Sequence, residues 1–237
     1  MRYNQGMEKN KVLTIALVAV VVSLVGGLIM GGSFAESRHK LSELPKPEVS
    51  EGQRGQLGID KNINESNIDL YLNRSDSVYI DVRMLEDPAS YEKIDGDRYL
   101  SGYVKGFEVV PYPYLTNVVG LPEVVGKTYE GKTLYHQDNE GNYTANYKES
   151  QQILEDLFPK DKNIFLMCGG GGYSGMTKQL LTKLGWDGDK IYVVGAYWSY
   201  AGVNDVEVKQ KDDEGNVSYA FWKVPYHDID FDELTEL

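Results

Sequence analysis

Cysteine is almost absent from this 237-residue chain, with one copy at position 168. A single thiol closes no intramolecular disulfide, so the fold has to rest on apolar burial rather than cross-links. Histidine is nearly as scarce. His39, His136 and His227 are scattered and, with one cysteine, offer no metal-ligand spacing, so no zinc or other metal site is expected. Basic residues are in the minority, 24 against 36 acidic ones, for a net charge of −12. Phosphate recognition needs a cationic face, so nucleic acid is excluded as an expected partner. What is plentiful is glycine, with 25 copies, and tyrosine, with 18. Tyrosine suits half-buried strand positions, and the length allows one domain of ordinary size plus an extension.

Long apolar runs are also rare, with one exception. Val12 to Met30 reads VLTIALVAVVVSLVGGLIM, without a charge. At about 1.5 Å per residue it spans a hydrocarbon core of roughly 30 Å. Arg2, Lys9 and Lys11 precede it, which orients residues 1–11 to the cytoplasm and exports the chain beyond the run. A transmembrane helix is therefore expected over 12–32, membrane-inserted as a single-pass anchor. Ser33-Phe34-Ala35 carries the small residues a signal peptidase reads, so cleavage after Ala35 and secretion is the other reading. Both put the remainder outside the cytoplasm.

From 33 to 74 the chain is polar, with Pro45, Pro47 and several glycines, a stalk or linker composition. Within it, Ile68 to Leu72 reads as a short helix or strand on the domain edge. From 75 to 205 the pattern alternates: strand 78–82, strand about 107–111, helix 148–158 ending before Pro159, strand 164–167, helix 174–184, strand 190–194. Alternation of this kind predicts an α/β fold, a mainly parallel sheet with helices on both faces. An insertion over about 112–147 holds a hairpin (132–136 with 142–147). A second hairpin (206–211 with 217–223) opens a C-terminal extension over 206–237. The turns Asp138-Asn139-Glu140-Gly141-Asn142 and Asp212-Asp213-Glu214-Gly215-Asn216 lack the spaced ligand set of a calcium loop and read as turn chemistry.

The chemistry concentrates at Ile164 to Met176. Four apolar residues lead to Cys168, then to Gly169, Gly170, Gly171 and Gly172, Tyr173 and Ser174. After these, Met176, Leu180, Leu181 and Leu184 share one helix face. A cysteine at the C-terminal end of a central strand stands where open α/β sheets place ligands. Glycines let successive N–H groups converge, and the helix adds its positive end, so a thiol with a lowered pKa is expected. A Walker loop would need a lysine near Ser174, and a dinucleotide fold an acid closing 191–195; neither is present. A cysteine phosphatase would need an arginine closing the loop.

Four blocks together resemble the rhodanese family. They are Val78 to Arg83 with its Asp-x-Arg ending, Tyr99 to Phe107 running on to Pro111, the Cys168 loop, and Lys190 to Trp198. The resemblance covers about 77–202 and implies a sulfurtransferase in which Cys168 carries sulfane sulfur as a persulfide, with Gly169 to Ser174 as the substrate-binding loop and no cofactor. It also places Asp81 and Arg83 near the loop as supporting residues. The alternative is a non-catalytic rhodanese-like binding module that recognises an anionic group or a partner protein at the cell envelope. The family generally ends the loop with arginine, where this chain has Tyr173. A phenol has one hydroxyl and no charge, so thiosulfate is expected to be a poor donor. A less charged persulfide or polysulfide, its apolar part on the Tyr173 ring, is the expected alternative.

Overall fold

The computed structural model describes residues 43–50, 58–83, 102–117, 131–207, 209–211, 213–215, 217–219, 227 and 229–237. The apolar run over 12–30, expected to cross a membrane, lies outside the described residues, as does Ala35. Among the described residues no helix is long and apolar enough to span a bilayer. One compact unit runs from Leu44 to Leu237.

Its centre is a four-stranded parallel sheet. β1 (Ser77–Asp81), β3 (Glu108–Val109), β6 (Asn163–Cys168) and β7 (Ile191–Ala196) lie in the order β3-β1-β6-β7. β6 is therefore central, paired with β1 from Ser77↔Asn163 to Asp81↔Met167 and with β7 from Ile164↔Ile191 to Cys168↔Ala196. The period-2 alternation of a strand divides β6 between two cores. Ile164, Leu166 and Cys168 face one, and Phe165 and Met167 face the other.

The first core is covered by α-helices. α1 (Tyr112–Leu115) supplies Tyr112 and Leu115, α2 (Ser150–Leu157) supplies Leu154, and α3 (Gly172–Lys183) supplies Met176, Leu180 and Leu181. α2 is followed by Phe158 and then Pro159, which disfavours further helix at the residue before it. α3 ends in a Schellman motif: Gly185 takes φ +98°, its N–H donates to Thr182 O, and the Trp186 N–H donates to Leu181 O. Trp186 then packs in the same core and donates Nε1–H to the Phe158 carbonyl at 2.6 Å.

The second core has a different cover. The alternating pattern predicts helices on both faces, but among the described residues this face is closed by the chain over 58–72 and its 3₁₀ turn, Ile68–Leu70. Ile63 and Ile68 are fully buried against Tyr79, Phe165 and Tyr192. Burying two such side chains contributes about 1.5–3 kcal/mol each. Asp60 fixes the segment. Its N–H donates to Val193 O on the sheet edge, while its own carboxylate accepts the N–H groups of Glu48, Asn62 and Ile63, all at 2.8 Å. The described part of the 33–74 stretch, read from composition as a stalk, is thus a wall of the domain.

Both expected hairpins form. β4 (Tyr135–Gln137) pairs with β5 (Tyr143–Ala145), and β9 (Lys209–Lys211) with β10 (Val217–Tyr219), each antiparallel. Residues 206 and 207, expected to open the second hairpin, belong instead to β8 (Asp205–Glu207), which pairs with β2 (Gly102–Val104), and residues 220–223 lie outside the described residues. The end of the chain is stitched to the insertion. Lys148 N–H donates to Thr235 O, Leu237 N–H to Asn146 O, and Phe231 packs on Tyr114 and Tyr147.

Candidate functional site

Cys168 ends β6, and the next residues cannot continue a strand because Gly171 turns the chain with φ +94°. That conformation is open to glycine at little cost. It starts α3 at Gly172, two residues earlier than the apolar pattern alone suggests. The turn folds back on the sulfur. Gly171 N–H donates to Cys168 Sγ at 3.0 Å, and Ser174 Oγ lies 3.7 Å from Sγ while donating to the Gly171 carbonyl at 3.0 Å.

Gly169 and Gly170 serve another purpose. A Cβ on Gly169 would lie 2.8 Å from the Trp198 indole, and one on Gly170 would lie 3.2 Å from it. The indole lies against this backbone, and Trp198 N–H donates to Gly169 O at 3.2 Å. Trp198 remains 45% exposed, whereas Cys168 is 1% exposed.

That burial overturns the expectation of a lowered thiol pKa. Desolvation pushes the Cys168 thiol up, since a thiolate loses water that the loop does not fully replace. The Ser174 N–H and hydroxyl and the Gly171 N–H pull the other way, and the nearby Asp81 carboxylate adds to the upward push. The net direction is up. The converging donors anticipated from the glycine run are present, but they act on a sulfur removed from water.

Tyr173 points away from the role expected of it. Its ring stacks on Tyr112, centroids 5.0 Å apart and planes at 26°, inside the first core with 6% exposure. That face is occupied, so a donor's apolar part does not rest there. Trp198 is the aromatic surface that reaches solvent at the loop. No sequence signal singles out Tyr112. Its ring is fully buried, and its hydroxyl has no hydrogen-bond partner among the described residues. Burial first, and the neighbouring Tyr143 and Tyr173 phenols next, push its pKa far up.

Asp81 lies beside Cys168, and Arg83 follows it two residues on. Asp81 pairs with Met167, next to Cys168, and is fully buried. Its Oδ1 accepts the Arg83 N–H at 3.1 Å, and Arg83 Nε forms an ion pair with Oδ2 at 2.9 Å. Burial raises the Asp81 pKa, opposed by Arg83. The guanidinium also donates to the Gly102 carbonyl and lies 4.3 Å from the centre of the Tyr197 ring. Arg83 thus ties β1, β2 and the chain after β7 together.

His227 Nε2 contacts Glu108 at 2.6 Å, His136 lies on β4, and His39 falls outside the described residues. Among the described residues no group of three or more His, Cys, Asp or Glu side chains is placed to hold a metal ion. Compared with protein-family models, curated proteins and solved structures, the chain gives no match.

Proposed function

We propose that this chain is a rhodanese-like sulfurtransferase, with Cys168 carrying sulfane sulfur and Gly169 to Ser174 forming the loop around it. The observation that carries the reading is the end of β6: the only thiol of the chain, at the C-terminal end of the central parallel strand, accepts the Gly171 N–H at 3.0 Å and has Ser174 Oγ at 3.7 Å. The donor is a persulfide anion, R–S–S⁻. The Cys168 proton passes to the donor, the thiolate so formed bonds to the donor's outer sulfur, the donor's S–S bond breaks, and the proton leaves with the departing sulfur as R–SH. The product is Cys168–S–S⁻. A thiolate acceptor then takes the outer sulfur and leaves Cys168 as thiolate, which regains a proton from water.

The N-terminal apolar run holds this domain at the outer face of a cell membrane, as a single-pass anchor with residues 1–11 in the cytoplasm. The support is the uncharged length over 12–30 behind Arg2, Lys9 and Lys11. Protease added to intact cells or spheroplasts digests the domain. Protection under conditions that cut a known exported protein sinks this topology.

A second reading is favoured by the 1% exposure of Cys168. In it the domain is a non-catalytic binding module whose loop recognises an anionic group or a partner protein. The two separate in one measurement. Purified chain treated with a low-molecular-weight persulfide, desalted and weighed by mass spectrometry gains one sulfur atom on the tryptic peptide that contains Cys168. A peptide of unchanged mass, with the thiol still alkylatable after denaturation, leaves the binding module as the reading.

A further inference from the structure

The chain after β7 runs over the Cys168 loop and is held at both ends. At the near end, Trp198 donates its N–H to Gly169 O and lays its indole on Gly169 and Gly170. At the far end everything converges on one carboxylate. Asp69 Oδ1 accepts the Tyr200 hydroxyl and Asn204 Nδ2–H, the latter at 3.0 Å, and Oδ2 accepts the Val203 N–H at 2.8 Å. Tyr200 Oη in turn accepts the Asn204 N–H at 3.0 Å. Gly202 has no room for a side chain, since a Cβ there would collide with the Asp69 carboxylate and the Tyr200 hydroxyl. Asp69 itself stands on a 3₁₀ turn nailed down by the buried Ile68. Burial pushes the Asp69 pKa up, but the bonds from Tyr200, Asn204 and Val203 outweigh it, so the ionised form is the one the loop grips.

This arrangement bears on reactivity. With Cys168 1% exposed, a donor meets the sulfur only after something moves. The 197–204 stretch presents its Trp198 and Val203 side chains to solvent, 45% and 92% exposed. Tyr197 and Tyr200 of this stretch pack in the second core, while Val203 and Asn204 beyond them are held by polar contacts to Asp69 and by the Lys105 N–H on the Asn204 carbonyl. Charge-assisted hydrogen bonds reached by water exchange partners more readily than a packed core rearranges.

We propose that Asp69 is a positioning residue for the Cys168 site: its carboxylate latches the 197–204 stretch so that Trp198 lies on Gly169 and Gly170, the residues that follow the thiol, and release of the latch admits the sulfur donor. The inference rests on the reading of Cys168 as the reactive centre. It also gives a chemical role to a residue in the stretch whose composition reads as linker, and it makes Trp198 the surface that a donor's apolar group meets on entry.

The test compares two reagents with the same reactive group and different bulk, iodoacetamide and iodoacetamidofluorescein, on the full chain at one pH. Because both read the same thiolate fraction, the ratio of their rates is blind to a pKa change and reports access alone. In the parent the bulky reagent lags far behind. Asp69→Ala and Trp198→Ala each narrow the ratio by about tenfold or more, the scale of one lost charge-assisted hydrogen bond. The double variant is no more open than the more open single one, since both remove one cover. Tyr200→Phe, which deletes a single oxygen and keeps the fold if Asp69→Ala does not, narrows the ratio part of the way. An unchanged ratio in Tyr200→Phe and Asp69→Ala, multiplicative effects in the double variant, or slow labelling by both reagents in Trp198→Ala each overturn the latch. Failure of the sulfurtransferase reading looks different: no sulfur is trapped on Cys168, yet the rate ratios respond as described.

Discussion

If Cys168 carries sulfur as proposed, Cys168→Ser ends sulfur loading and, at the same time, removes a loss of stability expected of the parent as the pH rises past about 8.5. The first effect is chemical. A serine hydroxyl cannot hold a sulfane sulfur as a persulfide, so transfer falls by about three orders of magnitude or more, to background. The second comes from burial. The native thiol is pushed above its ordinary value, chiefly by desolvation, while in the unfolded chain it ionises near about 8.5. Below that pH both states hold the proton and the contribution is complete. Above it the unfolded state releases the proton first, so stability falls by about 1.4 kcal/mol per pH unit until the native thiol also titrates. Tyr79, Tyr135, Tyr192 and Tyr200 are likewise pushed up from their ordinary phenol values, but they act above about pH 10. Denaturant unfolding of parent and variant from about pH 7 to 10 isolates the thiol as the difference between the two curves. Parallel curves would mean the thiol is not held protonated by burial. The alkylation midpoint of Cys168 in the native parent should agree, lying above that of a model cysteine.

The pieces legible in the sequence are those governed by local pattern. Ile164 to Met167 is an unbroken apolar run and becomes β6. The Cys168 to Ser174 composition forces a turn, and Gly185 closes α3. Both hairpins arise from their turn residues. What escapes a sequence reading is set by partners distant along the chain. Ile68 opens the short element expected over 68–72, but Ile63 sits among asparagines with no apolar period around it, so its burial on the sheet has no local signature. Asp69 reads as one more acid in an acidic chain until the 197–204 stretch is brought to it. The glycine run suggests converging N–H groups, and that holds for Gly171. For Gly169 and Gly170 the reason is the indole of Trp198, which only the fold brings to them. The sign of the Cys168 pKa shift is hidden for the same cause. Converging donors are visible in a sequence, whereas the depth at which they sit depends on the whole fold.

Tyr173→Arg, the change that restores the residue with which the resembling family ends this loop, costs stability and brings no gain in thiosulfate use. The Tyr173 ring is 6% exposed and stacked on Tyr112 at 5.0 Å. Replacing it forfeits a ring contact of about 0.5–1.5 kcal/mol beyond its buried area. It also places a guanidinium in a core beside a fully buried phenol, where the charge loses its water. Breaking a buried pair, which leaves one charge similarly uncompensated, costs about 3–5 kcal/mol, and the variant should lose stability on that scale. Tyr173→Phe keeps the stack and should stay within about 1 kcal/mol of the parent. The parent itself should use thiosulfate roughly ten- to a hundredfold less efficiently than a low-molecular-weight persulfide, because no bidentate cation faces the sulfonate oxygens from this position. Steady-state assays with both donors, alongside thermal unfolding, separate the two roles of the position. A stable Tyr173→Arg protein with thiosulfate turnover raised roughly ten- to a hundredfold would show that the arginine reaches the loop after all. Loss of stability without that gain shows why a phenol occupies this place: the first turn of α3 gives the position to the core, and the anion must be held by backbone N–H groups instead.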